Sequence, residues 1–143
     1  MSALNATYKL TGTTSNTSAQ SLGSFTAPTN QKCWIWIKPW LKDTGTPGYF
    51  PFEVRTGTTG GTKNAAVTWA KKNTNDAETV QGSFQTYSAQ PTNNGTVVAQ
   101  AAVRSDRNYA FPPILVHGAG TLDIWVTPSA SSIAFEIEIE VEQ

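Results

Sequence analysis

One histidine, one cysteine and ten acidic residues are the side chains in this sequence best suited to catalysis or metal binding. Nucleophilic catalysis needs a nucleophile, a base and a group that orients the base. The base would have to be His117, in the turn His117-Gly118-Ala119-Gly120, with Asp106 or Asp123 to orient it. Serines are plentiful, but the G-x-S-x-G elbow is absent. The simpler reading is a histidine in a surface turn, and the chain reads as non-enzymatic with no catalytic residue. One His and one Cys cannot build a structural zinc site in one chain. Three copies of His117 on a threefold axis would suffice for a metal. The Gly57–Lys63 stretch is glycine-rich but lacks the spacing of a phosphate-binding loop and reads as a hairpin. No cofactor is expected.

Two groups of residues point instead to binding. Glu136, Glu138, Glu140 and Glu142 alternate with Phe135, Ile137, Ile139 and Val141 in the last stretch. Alternate residues on one strand face lie about 6.5–7 Å apart. That is too far for several carboxylates to grip one calcium ion at about 2.3–2.6 Å without other ligands. The row is either a solvated face that discourages edge pairing or a docking surface for positive charge. Lys9 and Lys38 are candidate partners within the chain. The second group is Trp34, Trp36 and Trp40, with Trp69 and Trp125 elsewhere. Trp34 and Trp36 alternate with Cys33, Ile35 and Ile37, so both faces of that segment are apolar. Such a strand is covered on both sides or offers tryptophans to a partner. Trp34, Trp36, Trp40 and the four glutamates form the candidate interface. Trp125 shares a side with Asp123, away from Leu122, Ile124 and Val126, which places it near the surface or beneath a loop.

These residues need strands to position them. The period of two from Ser132 to Glu142 is that of a strand about 33 Å long with one buried face. Further strands are expected at 7–11, 21–26, 32–41, 50–56, 65–70, 78–88, 96–104, 109–116 and 122–127, separated by turn signals such as Asp43–Gly48 and Asn94-Gly95. In the second of these, Leu22 and Phe25 fall on opposite faces, so its inward side stays open. Pro51 suggests an edge strand or a strand start, and Pro112-Pro113 bars its segment from the centre of a sheet. No amphipathic helix is apparent. Eight to ten short strands predict an all-β fold, an antiparallel β-sandwich, with the jelly roll as the best single choice. The chain fits one domain over 1–143, with 1–20 as an extended arm or loop.

Composition narrows the partners. Charged residues are sparse and balanced, although four of the six glutamates lie in the last strand. Positive charge is spread thinly, which argues against nucleic acid as a partner; Lys71-Lys72 reads as a solvated turn. A lone Cys33 excludes an intrachain disulfide and reads as a buried, inert thiol. No run approaches a membrane span. The start, Met1–Asn5, has neither the basic end nor the apolar run of a signal peptide.

The segment Gly118–Ser132, followed by the alternating terminal strand, resembles the C-terminal end of small virion structural proteins of tailed bacteriophages. Ala101–Pro113 looks like the same type of protein, so the resemblance covers about Thr96 to the end. It implies a head decoration (cement) protein made in the host cytoplasm. Such a protein is a β-sandwich, often trimeric, that sits on the capsid surface and clamps neighbouring major capsid proteins. On that reading the tryptophan region supplies an oligomer contact, and an arm from Met1 to about Ser18 orders on the lattice. A carbohydrate-binding module or a receptor-binding fibre tip using exposed tryptophans is the alternative.

Overall fold

The computed structural model describes residues 4–42, 49–104, 107–129 and 133–143, with the side chains of 41 and 42 set aside. Twelve strands and no helix occur among them, and hence no helix able to cross a membrane. Eight strands make the body of two antiparallel sheets. They are β1 (Asn5–Thr13), β2 (Gln20–Thr26), β3 (Cys33–Lys42), β4 (Tyr49–Thr56), β9 (Thr96–Arg104), β10 (Ile114–Val116), β11 (Thr121–Val126) and β12 (Ala134–Glu142). The short strands β5 (Thr62–Lys63), β6 (Ala70–Lys71), β7 (Ser83–Gln85) and β8 (Tyr87–Ala89) belong to an excursion between β4 and β9. Sheet A has the order β10-β3-β12-β1-β6, and sheet B the order β7-β2-β11-β4-β9. Without β6 and β7, the pairs are β1 with β12, β2 with β11, β3 with β10 and β4 with β9. This is a long hairpin folded over on itself, the jelly roll expected from the strand count.

Alternation sets the core. Ile35, Ile37, Ile137, Ile139 and Val141 of sheet A pack against Phe25, Phe50, Phe52, Val54, Leu122, Ile124 and Val126 of sheet B. Each such side chain contributes about 1.5–3 kcal/mol relative to exposure. Cys33 is buried among them, and burial pushes its thiol up. The excursion closes one side of the sandwich, because β6 extends sheet A from β1 and β7 extends sheet B from β2.

Several expectations are corrected. Within the first twenty residues the strand expected at 7–11 is present and longer than expected. Asn5–Thr13 is β1, paired along its whole length with β12, and Gln20 already starts β2. Residues 1–3 lie outside the described residues, as do Asp43–Gly48, Asp106 and Ser132. Leu22 and Phe25 are both buried because a bulge sits in β2, where Gly23 pairs with Ile124 but Ser21 with Trp125. The extra residue turns Leu22 inward. The strand expected at 65–70 is only Ala70–Lys71, and that at 78–88 is two three-residue pieces, Ser83–Gln85 and Tyr87–Ala89. β4 lies inside sheet B, and Pro51 sits near its start, one residue before the β11 register begins at Phe52. Pro39 is tolerated inside β3 for a different reason. Its carbonyl accepts from the Tyr109 N–H, so its missing N–H also faces that side and the β12 ladder loses nothing.

Candidate binding face

The outer face of sheet A collects the residues singled out above. Register places Trp34 beside Glu142, Trp36 beside Glu140, Lys38 beside Glu138 and Trp40 beside Glu136. On the other flank β1 sets Thr7 beside Glu140, Lys9 beside Glu138 and Thr11 beside Glu136. The inward residues of the same strands are buried, so the tryptophans take the other side: Trp34 and Trp40 are exposed and Trp36 half-buried.

Three of the four glutamates are paired from within. Lys38 reaches Glu138 at 3.7 Å and Glu140 at 3.5 Å, Lys9 reaches Glu136 at 3.9 Å, and Lys72 approaches Glu140 at 2.6 Å. Lys9 and Lys38 are the partners anticipated from the sequence. Lys72 is not the isolated solvated turn it resembled, because the Lys72 N–H donates to the Asn5 carbonyl and holds the ammonium over the sheet. Burial pushes the Glu140 carboxyl up, but the hydrogen bond from Lys72 and the charges of Lys38 and Lys72 outweigh it. Together they hold the group below its ordinary value. A carboxyl depressed on folding contributes stability above its unfolded value and loses it as pH falls through the folded one. The contribution is therefore complete above the reference value of 4.5 and fades below it. Lys72→Ala lowers the urea midpoint at neutral pH, and the gap to the wild type narrows at about pH 3. A gap of equal size at both pH values would remove Glu140 from the linkage.

The face has two ends of different character. At one end Trp34 pairs across β10 with Leu115, and both are about 40% exposed. At the other, Trp40 and Tyr109 border an open cleft of about 430 Å³ floored by Lys9, Lys38, Glu136 and Glu138, with Asn108 and Ala110 on its rim. The segment after β9 builds that rim. Asn108 bridges to Trp40, the Phe111 N–H donates to the Ile37 carbonyl, and Tyr109 meets Phe111 edge-on at 5.1 Å. Tyr109, Asn108 and Leu115 were missed as site residues. The signal for Tyr109 was an aromatic residue in an extended segment cut short by Pro112-Pro113.

The other sequence candidates are dispersed. His117 is exposed in its turn, and among the described residues neither it nor Cys33 joins a group of three or more His, Cys, Asp or Glu side chains that could hold a metal. Asp123 is fully buried, and its Oδ2 accepts from Ser21 Oγ at 3.1 Å and Tyr87 OH at 2.7 Å rather than serving His117. Trp125 is buried, with the Arg55 guanidinium 4.8 Å from its ring centre. Among the described residues no three His, Cys, Asp or Glu side chains converge as metal ligands. Compared with known protein families, curated proteins and solved structures, the chain matches none.

Proposed function

We propose that this chain is a non-enzymatic structural protein of a phage virion, a homotrimer that decorates the capsid surface by bridging major capsid proteins. The observation that carries this reading is the apolar end of sheet A. Trp34 and Leu115 stand exposed side by side on a rigid sheet, with Trp36 next along the strand. Large aromatic side chains held on rigid strands make good interface anchors. The jelly roll adds support at the level of fold alone, since viral capsid and lectin domains both use it. Lysines within the chain pair with Glu136, Glu138 and Glu140, three of the four glutamates of the row. Docking of the acidic row onto a basic partner loses weight accordingly.

The test is occupancy on expanded capsids stripped of the protein, with native mass spectrometry of the free chain. The wild type sediments with capsids and is trimeric in solution. Trp34→Ala with Leu115→Ser lowers occupancy about tenfold or more, in line with the loss of an interface anchor. Undiminished occupancy on capsids would remove this end from the contact, and a failure of the wild type to bind would remove the reading.

A further inference from the structure

The cleft at the Trp40 end differs in chemistry from the apolar end and is separate from the proposed capsid contact. We infer that it is a binding site for a neutral oligosaccharide. Three observations carry this.

The first is the aromatic border. Trp40 and Tyr109 are each more than a third exposed at the cleft. Large aromatic side chains with a polar tip suit a ligand that is apolar on one side and wet on the other. A pyranose ring is such a ligand, with an apolar C–H face and hydroxyls around its rim.

The second is the floor. Lys9 and Lys38 face Glu136 and Glu138, so two positive charges are matched by two negative ones. A polyanion would meet both carboxylates, and a cation both ammoniums. A hydroxyl both donates and accepts, and this floor offers each kind of partner. The Lys38–Glu138 pair does not exhaust that capacity: an ammonium carries three donors and a carboxylate about four acceptor sites, and the pair stands at 3.7 Å, with Glu140 3.5 Å from the same ammonium, both longer than a direct charge-assisted hydrogen bond.

The third is rigidity. The floor residues occupy consecutive register positions on β1, β3 and β12, with Lys9 opposite Glu138 and Glu138 opposite Lys38. The rim is tied to β3 by backbone hydrogen bonds from Tyr109 and Phe111. A site on packed strands holds its geometry before the ligand arrives. A cleft of about 430 Å³ lies within the usual range for small-ligand sites.

The experiment is saturation-transfer NMR on the full chain with cellohexaose, mannohexaose and chitohexaose at millimolar concentration, and a heparin hexasaccharide as the polyanionic probe. At least one neutral probe receives saturation on its ring protons. Trp40→Ala and Tyr109→Ala each reduce that transfer at least tenfold, while Trp34→Ala leaves it unchanged. Both cleft residues are partly exposed, and circular dichroism confirms that the variants fold. Lys38→Met, which keeps the stem but unbalances the floor, also weakens the transfer. No transfer to any neutral probe overturns the inference. So does preference for heparin, or transfer that survives loss of Trp40. Capsid occupancy is tested through Trp34 and Leu115, so either proposal can fail without the other.

Discussion

Phe84→Ala lowers the stability of this protein by about 3–5 kcal/mol, the range for truncating a fully buried aromatic side chain. Phe84 belongs to the three-residue strand β7 and has no exposed surface. Its ring lies over Gly23 of β2, where an added Cβ would stand 2.3 Å from the ring tip, and near Tyr8 of β1 at 6.0 Å between centres. Phe25 is packed the same way from the opposite strand, over Gly82 and edge-on to Trp69 at 6.3 Å. The two rings and two glycines interlock where the excursion closes the sandwich. Losing Phe84 leaves a cavity that short β7 cannot fill by moving without giving up its pairing with β2. Gly23→Ala strikes the same contact from below and costs about 1–3 kcal/mol through overpacking. Urea unfolding of Gly23→Ala, Phe84→Leu and the double variant checks the interlock. The double variant loses less than the sum of the single ones, because leucine lacks the ring atoms that meet the new methyl group. Strict additivity would show that ring and glycine are not coupled.

What the sequence disclosed was decided by the period of two. Alternation in β12 and β3 put Ile137, Ile139, Ile35 and Ile37 on one face and the glutamates and tryptophans on the other, and the structure keeps that division, with the isoleucines in the core. The same alternation was silent on whether an outer face is wet. Asp123 and Trp125 lie on the outer side of β11, yet both are buried, Asp123 beneath Tyr87 of an excursion some 36 residues away in sequence. The strand β1 was legible over 7–11 through Tyr8 and Leu10, but its start was not, because its other inward residue, Ala6, is too small to mark a core face beside so many threonines. Leu22 misled because a bulge shifts the parity of β2, and no residue type announces a bulge. The cleft was illegible for a further reason. Trp40 and Tyr109 meet only because the chain returns to β3 after β9, about 70 residues later, and local pattern carries no record of that return.

Tyr87→Phe costs about 1.5–3 kcal/mol at neutral pH, the range for a hydrogen bond to a charged group. Asp123 is fully buried, and Tyr87 and Ser21 are the donors to its Oδ2. Among the described residues, removing the phenolic hydroxyl leaves Ser21 Oγ as the remaining donor to that oxygen, away from water. The same contact has a signature in alkali. Burial raises the Tyr87 hydroxyl above its ordinary value of 10.0, and its hydrogen bond to Asp123 and the charge of that carboxylate raise it further. The folded chain therefore keeps a proton that the unfolded chain releases. Where the unfolded state binds fewer protons, stability falls as pH rises. The Tyr87 contribution is present in full below pH 10 and is lost progressively above it. Phenylalanine has no proton to keep. The stability gap between wild type and Tyr87→Phe is accordingly flat from neutral pH to about 9 and shrinks between about 10 and 12. Urea midpoints measured across that window decide the matter. A gap that stays constant to pH 12 would mean that the hydroxyl titrates alike in both states, and that Asp123 is held by Ser21 and its burial rather than by Tyr87.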